Sequence, residues 1–433
     1  MIAQILQWLM YPFLFLSMYF QVLLLTSFFE SKRKIKGEEE YGVSVFPLVT
    51  VAVPCWNEEK TLSATLDSLL ALDYPKNKLE IIVVDDGSKD HTAEVAYEYA
   101  KQHGDIIKVF SKENGGKHTA VNLALKNSTG DFFGCLDADS FVAPQTLKTI
   151  ISYFEAYPKT MAVTPCIHIK SPKTFVQRMQ AVEYLMGVFV RKAFGELDAI
   201  QVTPGPFSIF RKEVFSTIGE YRKAHNTEDL EITLRMHKAQ LKIMNSHKAL
   251  VYTVGPATAK GFFYQRLRWA RGFLENSLDY KELFFKKKYG NFGMFTLPMA
   301  FVFLFYGLYA ALFTVYSMGS YIYNLTNKWS IVGFHPQISI GLPHFDWFYL
   351  STTVMAFIVM VMFSIFLLVI YISSTLSDDS QRLYFNFPIF FLIYPIFVPL
   401  FLGRAVIDTM LNRKNEWVLQ DSKGSYQVAN TVD

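Results

Sequence analysis

Four long segments of the chain contain no charged side chains, and they lie on both sides of one long segment that contains many. Residues 2–29, 291–327, 347–377 and 383–403 contain no Asp, Glu, Lys or Arg, whereas residues 30–290 mix charged and apolar positions. A helix that crosses a bilayer needs about 20 apolar residues, so each charge-free run is long enough to cross. The first run has no basic segment before it and no small-residue cleavage site, which indicates a retained anchor rather than a signal peptide.

Short β-rich runs alternate with helical patterns in the first part of the charged stretch. The predicted strands cover residues 48–54, 79–84, 106–111, 131–136 and 161–169. The predicted helices cover residues 61–72, a segment from about residue 92, and a segment that ends near residue 126. Strands separated by helices of this length predict a parallel, Rossmann-like sheet. Ligands of such sheets bind beyond the carboxyl ends of the strands.

Residues 172–196 have a helical pattern with one apolar face. That face carries Phe175, Met179, Val182, Met186 and Phe189. Basic residues among the polar positions suit a helix that lies in the membrane interface. A helix that packs on the core of the α/β domain is the alternative.

Charge distribution narrows the class of protein and its orientation. The net charge of +4 argues against a nucleic-acid surface. The three cysteines lack metal-ligand spacing and are expected to be buried, reduced thiols. Basic clusters at residues 32–36 and 286–288 flank the charged stretch and predict that it lies in the cytoplasm.

The side of the C-terminus is ambiguous. Three later spans would put the C-terminus outside, yet Arg404, Arg413 and Lys414 favour the inside. Two explanations remain open. Residues 383–403 contain three prolines and could form a broken or re-entrant segment, or the run from residue 291 could hold more than one membrane element.

Polar side chains follow each of the first four predicted strands. They are Asn57 and Glu58, Asp85 and Asp86, Lys117, and Asp137 and Asp139. Carboxylates two positions apart at a strand exit suit Mg²⁺ or Mn²⁺ that also holds phosphate oxygens, although many isolated Asp-x-Asp pairs are turn residues. Asp85 and Asp86 also fit a capped strand-to-helix turn. Lys117 could position a diphosphate, but the P-loop spacing is missing, so ATP hydrolysis is excluded.

Two motifs further along the chain place carboxylates upstream of a cationic, aromatic cluster. In Thr227-Glu228-Asp229, Thr227 is predicted to cap a helix over residues 229–240, and a carboxylate here could act as a general base. In Gln265-Arg-Leu-Arg-Trp269, an arginine could neutralise a leaving diphosphate while Trp269 stacks on a sugar. Arginines that face lipid phosphates are the alternative. Residues 203–210 form a Gly/Pro bend, which is either a close approach to a ligand or a simple turn.

Taken together and in this order, these motifs resemble those of processive family 2 glycosyltransferases. These are the membrane synthases of cellulose, chitin, hyaluronan and poly-N-acetylglucosamine. The resemblance covers roughly residues 47–275, and residues 261–272 are most similar to bacterial poly-β-1,6-N-acetylglucosamine synthases. The bend at residues 205–208 is more similar to hyaluronan and chitin synthases, so the sugar stays open.

The resemblance implies a GT-A α/β domain in the cytoplasm, joined to transmembrane helices and amphipathic interface helices. It implies inverting transfer from UDP-N-acetylglucosamine or UDP-glucose to a growing polysaccharide, with Mg²⁺ or Mn²⁺ as cofactor and secretion through the protein's own channel. Asp229 would be the catalytic base. The nucleotide-sugar would contact Pro54, Asn57, Glu58, Asp86, Lys117 and Asp137. Asp137 and Asp139 would hold the metal. The acceptor and diphosphate would contact Glu228, Gln265, Arg268 and Trp269.

The implied organisation places a multi-pass protein in the plasma membrane. Its expected parts are an anchor (1–30), the catalytic domain (45–255), interface helices (256–290), transmembrane helices (291–403) and a tail (404–433). The lipid bilayer and the polysaccharide are expected partners, an accessory membrane subunit is left open, and nucleic acid is not expected. One alternative is a single-transfer enzyme that adds one sugar to a lipid. Another is a non-catalytic membrane protein, which the retained Asp139, Asp229 and Trp269 disfavour.

Overall fold

The computed structural model describes residues 2–35, 42–333, 353–377, 383–413, 417–420 and 426–429. The strands are β1 (Val49–Cys55), β2 (Leu79–Asp85), β3 (Ile107–Ser111), β4 (Phe132–Cys135), β5 (Ser140–Val142), β6 (Thr160–Ile169), β7 (Ile209–Arg211), β8 (Lys242–Thr253), β9 (Trp417–Gln420) and β10 (Tyr426–Ala429). The helices are α1 (Ile2–Ile35), α2 (Leu62–Leu70), α3 (Thr92–Gln102), α4 (Lys117–Asn127), α5 (Thr146–Ala156), α6 (Phe175–Glu196), α7 (Glu213–Ile218), α8 (Glu228–Lys238), α9 (Ala259–Asp279), α10 (Leu297–Val332), α11 (Val354–Leu376) and α12 (Leu383–Met410).

Eight strands form one sheet in the order β3-β2-β1-β4-β7-β6-β8-β5. The first four of these are parallel, as the alternation of strands and helices predicts. The other half of the sheet is mixed, and β6 pairs with β8 in parallel. Strand β7 runs antiparallel to both β4 and β6, and β5 runs antiparallel to β8. The chain reverses before β7 at Phe207, whose backbone is left-handed (φ 62°) and whose N–H donates to the carbonyl of Cys135.

Parallel strands β1 and β2 form the centre of the core. Val51, Ile81 and Val83 are fully buried among the residues of α2 and α5. Burial of each such side chain stabilises the fold by about 1.5–3 kcal/mol. The three cysteines are also buried and unbridged, which confirms the prediction of buried thiols. A rigid sheet therefore supports the loops at the carboxyl ends of β1, β2 and β4.

The chain divides into two compact units. One comprises Met1–Leu23 and Met299–Val369, and the other comprises Leu24–Pro298 and Ile370–Asp433. In the first unit, α1 packs on α10 through ring contacts of Phe13 with Tyr306 (5.1 Å) and Phe20 with Phe303 (4.8 Å). The second unit contains the sheet, helices α2–α9 and α12.

Four helical segments of the described chain are long and apolar enough to cross a membrane. They are Trp8–Glu30, Phe292–Val332, Val354–Leu376 and Phe385–Met410. Helix α10 is continuous over its whole length and follows a short π-helical turn at Phe292–Thr296. Helix α12 is also continuous although it contains Pro388, Pro395 and Pro399. Neither segment therefore breaks into two helical pieces.

Candidate active site

The loop after β1 is joined to the loop after β2. Asn57 adopts a left-handed backbone (φ 58°), which asparagine tolerates better than most residues. Its N–H donates to Ser88 Oγ (2.9 Å), and its Oδ1 accepts from the N–H of Lys89 (2.8 Å). The side-chain oxygen of Asn57 therefore holds the two loops together. Beside it, burial raises the pKa of Glu58, and the charge of Asp137 adds to this effect.

Asp86, at the end of β2, holds the glycine loop that leads into α4. Its buried carboxylate accepts hydrogen bonds from Lys112 Nζ (2.5 Å), Gly115 N–H (3.0 Å) and Gly116 N–H (2.9 Å). Because a carboxylate with three donors is firmly held, Asp86 fixes the position from which Lys117 begins its helix. Direct contact between Asp86 and a nucleotide stays a prediction.

Lys117 joins the strand-end carboxylates to the Thr-Glu-Asp motif. Its Nζ lies 2.5 Å from Asp137 Oδ1 and 3.6 Å from Glu228 Oε1. Burial alone would lower the pKa of Lys117, but Asp137 and Glu228 outweigh it and hold the pKa well above the usual value. The bend at residues 203–210 also reaches this point, because a Cβ on Gly205 would lie 2.8 Å from Lys117 Nζ. The bend is therefore a close approach of backbone to the lysine.

Asp137 and Asp139 supply the oxygen ligands that a hard divalent cation prefers. Asp139 Oδ1 accepts from Ser140 Oγ at 3.0 Å. Burial raises the pKa of Asp139 to about 7, with further contributions from Asp137 and Glu58. Within the described residues, no three His, Cys, Asp or Glu side chains surround one point. Asp137 and Asp139 are therefore the residues that would hold such a cation, by the chemistry of their oxygens.

Asp229 lies in the first turn of α8, where its Oδ1 accepts from the N–H of Leu230 (2.9 Å). Its backbone carbonyl accepts from the hydroxyls of Thr203 (3.2 Å) and Thr233 (2.7 Å), so the position of the residue is fixed. Burial and the adjacent Glu228 raise the pKa of Asp229, whereas Lys117 and Arg268 oppose the shift. A fixed carboxylate with a raised pKa has the properties of a general base.

Thr227 occupies the N-cap position of α8, but its side chain does not cap the helix. The prediction of a side-chain cap is therefore wrong. Thr227 Oγ1 instead donates to the carbonyl of Ala224 (3.2 Å) and accepts from Asn276 Nδ2 of α9 (2.9 Å). A longer-range partner has displaced the local one, so the start of α8 is attached to α9.

Helix α9 carries the Gln-x-x-Arg-Trp motif beside the same turn. Arg268 Nη1 donates to the carbonyl of Asn226 (2.8 Å), directly before Thr-Glu-Asp. Trp269 keeps 37% of its surface exposed, which leaves its indole available for stacking. Gln265 Oε1 accepts from Arg266 Nη1 (2.7 Å). The motif thus combines one arginine at the acidic turn with one exposed aromatic ring.

Arg266 belongs to a buried network that the sequence does not reveal. Its guanidinium is 4% exposed and donates to both oxygens of Glu183 on α6, at 2.5 and 3.1 Å. Tyr394 of α12 donates to the same carboxylate at 2.9 Å, and the guanidinium lies 4.2 Å from the ring centre of Trp269. Arg271 is buried too and pairs with Glu275 at 2.6 Å. Both arginines are therefore directed at protein carboxylates.

Helix α6 is largely buried along its apolar face. Met179, Val182 and Phe189 are buried, and only Phe175 of the named face is half exposed (48%). The helix begins with a capping box in which Gln177 N–H donates to Thr174 Oγ1 and the Gln177 side chain accepts from the N–H of Thr174. Its apolar residues pack within the second unit, so its position at a membrane interface stays a prediction.

Sequence reasoning grouped the motif residues but missed the side chains that connect them. Ion pairs and hydrogen bonds bring Asp137, Lys117 and Glu228 together, and Arg268 reaches the turn before Asp229. The missed residues are Glu183, Tyr394, Asn276 and His225. No local pattern points to Glu183, because its partner Arg266 is 83 positions away in the chain. Pro54 lies within β1, paired with Val84, and its contact with a nucleotide stays a prediction.

Comparisons with known proteins agree with this architecture. Residues 50–219 match the family described as Glycosyl transferase family 2. The chain is 32% identical over 268 residues to a poly-beta-1,6-N-acetyl-D-glucosamine synthase of Staphylococcus aureus, covering 61% of this chain and 64% of the relative. It is 32% identical over 226 residues to the synthase of the same name from Staphylococcus epidermidis, covering 52% and 54%. The chain therefore spans less than two thirds of the curated relatives that it matches.

A solved structure extends the likeness of the fold to most of the chain. The mannosyltransferase of Pyrobaculum calidifontis, solved with GDP-Man and Mn²⁺, superposes with a TM-score of 0.59 over 93% of this chain and 99% of that one. The two sequences are 18% identical, so this likeness concerns the fold alone. With the eight-stranded sheet and the matched residues, it confirms the predicted fold class. Residues 50–219 therefore resemble glycosyl transferase family 2 within a GT-A-like α/β fold, and the described chain also has four apolar helices long enough to cross a membrane.

Proposed function

We propose that this protein transfers a hexose from a UDP-sugar, UDP-N-acetylglucosamine or UDP-glucose, to a growing β-linked polysaccharide. The observation that carries the proposal is the position of Lys117 between Asp137 and Glu228. This lysine joins the carboxylates of a donor site to the motif that holds a candidate base. The polymer-synthase names of the relatives favour a polysaccharide product over a single-sugar product and favour N-acetylglucosamine over glucose.

The reaction follows from the positions of the charged groups. Asp229 accepts the proton of an acceptor hydroxyl, whose oxygen attacks the anomeric carbon from the face opposite the diphosphate. Lys117 and Arg268, which both oppose the raised pKa of Asp229, offset negative charge on the departing diphosphate in this proposal. A divalent cation held by Asp137 and Asp139 would supply further neutralisation of the diphosphate oxygens.

Trp269 is the proposed platform for the acceptor sugar. Its ring is held on one side by the Arg266 guanidinium at 4.2 Å, and it keeps more than a third of its surface exposed. Apolar faces of sugar rings stack on aromatic side chains of this kind. A platform that holds the chain end beside the base favours repeated transfer, and the apolar helices provide a route for secretion of the polymer.

The packing of α12 supports a position of the C-terminus on the cytoplasmic side of the membrane. Tyr394 bonds Glu183 on α6, Phe397 packs on Phe262 of α9 (5.5 Å), and the carbonyl of Arg413 accepts from Arg271. Helix α12 therefore lies along α6 and α9 within the second unit. In this proposal α12 rests in the membrane interface without crossing, and the C-terminus stays on the cytoplasmic side with the catalytic domain at the plasma membrane.

Nucleotide release tests the proposal directly. Detergent-purified protein with Mn²⁺ is offered UDP-N-acetylglucosamine, UDP-glucose and GDP-mannose separately, and the product is sized on a gel. A polymer ladder from one UDP-sugar is expected. A product one sugar longer than a lipid acceptor would replace the polymer proposal with single transfer. Release from GDP-mannose alone would overturn the UDP donor. If no donor is turned over even after a candidate membrane partner is added, the proposal that this protein is a glycosyltransferase is refuted.

The assignment of the base has its own test. Asp229→Asn should lower the rate of transfer by about 10²–10⁴-fold, because a positioned base contributes that much, while nucleotide binding survives. Asp105→Asn makes the same chemical change at an exposed position before β3 and should leave the rate unchanged. Loss of nucleotide binding in Asp229→Asn would move Asp229 from the role of base to the donor site.

A further inference from the structure

The turn before the Thr-Glu-Asp motif has a strained backbone. Ala224, His225 and Asn226 have φ values of 45°, 54° and 61°, so three successive residues with side chains are left-handed. This conformation is unfavourable for each such residue, and a run of three persists only where surrounding groups enforce it. The strain is located two residues before the carboxylates of the motif, at a point that decides where α8 begins.

Helix α9 supplies the groups that enforce the turn. Asn276 Nδ2 lies 3.2 Å from the carbonyl oxygen of Ala224 and 2.9 Å from Thr227 Oγ1. Arg268 Nη1 donates to the carbonyl of Asn226. Two side chains of one helix therefore hold both ends of the strained turn.

The middle residue of the turn is held by two carboxylates of the same helix. His225 Nδ1 lies 3.2 Å from Glu275 Oε2, and His225 Nε2 lies 2.9 Å from Asp279 Oδ2. Both ring nitrogens of an imidazolium are donors, so a cationic ring satisfies both carboxylates at once. Glu275 is itself fixed by Arg271.

We propose that His225 is a positioning residue whose ring, held between Glu275 and Asp279, fixes the turn at residues 224–226 on α9 and so sets Asp229 against Arg268 and Trp269. The proposal rests on the proposed function, in which Asp229 and Trp269 act on the acceptor and Arg268 acts on the departing diphosphate. It assigns no contact with substrate to His225. Its role is to keep the base on α8 and the acceptor platform on α9 in one fixed arrangement.

The charge of the ring agrees with the geometry. The hydrogen bond with Glu275 raises the pKa of His225 to about 9, with burial opposing the shift and Asp279 reinforcing it. Arg271 on α9 is bonded to Glu275, and Lys223 directly precedes the turn in the chain. The ring is therefore charged at neutral pH and loses its proton, and one of its two donors, as the pH rises through about 9. Positioning should weaken in that same range.

The test compares two substitutions at His225 with one at His103. His225→Asn removes the cation but keeps a residue that tolerates a left-handed backbone. His225→Lys keeps a cation whose ordinary pKa is about 10.4. His103→Asn makes the same change at the end of α3 and serves as the control. At pH 7.5, His225→Asn should lower kcat about 10- to 100-fold with little change in the KM for donor, since small misplacements of a reacting group have such effects.

The pH profile separates positioning from a general loss of structure. Wild type should lose kcat as the pH rises through about 9, His225→Lys should lose it at higher pH, and His225→Asn should lack this step. The proposal would be overturned if the kcat of His225→Asn equalled that of wild type. It would also be overturned if the kcat of this variant still fell as the pH rose through about 9. His103→Asn should follow wild type throughout.

Hydrogen exchange distinguishes failure of this proposal from failure of the proposed function. Amides of Asn226, Thr227, Leu230 and Glu231 are bonded within this turn and the start of α8. At pH 7.5 they should exchange faster in His225→Asn than in wild type. If the wild-type protein turns over no donor, the proposed function is refuted. If hydrogen exchange is also unchanged in His225→Asn, the positioning role of His225 is refuted as well. Turnover in wild type with unchanged exchange in the variant would overturn the positioning role alone.

Discussion

Gly272 of α9 lies directly against Thr227, the first residue of the Thr-Glu-Asp motif. A Cβ at this position would lie 2.3 Å from Thr227 Oγ1 and 2.4 Å from Thr227 Cγ2. Thr227 cannot easily rotate away, because it is β-branched and its hydroxyl is held by Asn276. The substitution Gly272→Ala should therefore separate α9 from the start of α8.

The expected size of the effect follows from these distances. Ordinary van der Waals contact begins at 3.4 Å, so the two helices must part by about 1 Å. Alanine in a helix is more favourable than glycine by about 1 kcal/mol, and overpacking costs about 1–3 kcal/mol. The free energy of unfolding should thus fall by only about 0–2 kcal/mol. A displacement of about 1 Å near the chemistry can nevertheless lower the rate about 10²-fold.

The assay is nucleotide release at saturating donor, together with the melting temperature of the purified protein. Gly195→Ala is the matched control, because Gly195 also lies in a helix and its added Cβ would meet no atom closer than 3.6 Å. The control should keep the wild-type kcat. Gly272→Ala should lose most of its kcat while it remains folded at the assay temperature.

A second substitution tests whether the contact between Gly272 and Thr227 is the cause. In the double variant Thr227→Ala with Gly272→Ala, the two closest atoms are gone, and the remaining contact is with Thr227 Cβ at 2.9 Å. Since residues in contact are not additive, part of the lost kcat should return. If Gly272→Ala has the wild-type kcat, α9 does not set the position of the base. If the double variant is no better than the less active of the two single variants, steric separation is not the cause.

Two further predictions concern stability. Glu183→Gln leaves the buried Arg266 without its charge partner and should lower the free energy of unfolding by about 3–5 kcal/mol, whereas Glu98→Gln at an exposed position should change it by less than about 0.5 kcal/mol. Denaturant midpoints measure both, and equal values would contradict the network. Burial lowers the pKa of His237 to about 4, so the unfolded state binds the extra proton and stability should fall as the pH drops from about 6.5 towards 4. His237→Gln should flatten this slope by up to about 1.4 kcal/mol per pH unit, and an unchanged slope in melting experiments would count against a neutral, buried His237.

The sequence predicts the first half of the sheet well because that half is built from local repeats. Strand β2 begins at Leu79 as predicted and ends one residue later, and α4 begins at Lys117 and ends at Asn127, next to the predicted end. Alternation of β-rich runs with helices is a property of neighbouring residues, so it is visible in the sequence. The order of the motif residues along the chain also places them at the same edge of the sheet.

The second half of the sheet could not be predicted in the same way. Strand β7 has only three residues, and its direction depends on the reversal at Phe207. Strand β5 is equally short and pairs with β8 more than a hundred residues later. Periodicity is uninformative at this length, so pairing is decided by tertiary contacts.

The candidate site shows the same division between local and distant information. Motif residues such as Asp139 and Asp229 are visible because strand ends and helix starts are local features. Thr227 shows where this reasoning fails, since its hydroxyl satisfies Asn276, 49 positions away, instead of the helix that it precedes.

The bond from Asn276 to the Thr227 hydroxyl, in place of a side-chain cap, also matters for the proposed reaction. A side-chain cap would have stabilised α8 on its own, and its loss makes the start of α8 depend on α9. Three left-handed residues add strain that contacts with α9 help to offset. The helix that carries Trp269 therefore also positions the turn before Asp229, so under the proposed function a change in α9 that alters acceptor binding should alter the base as well. Independent behaviour of the two, in variants such as Gly272→Ala, would mean that the strained turn is held by groups other than those of α9.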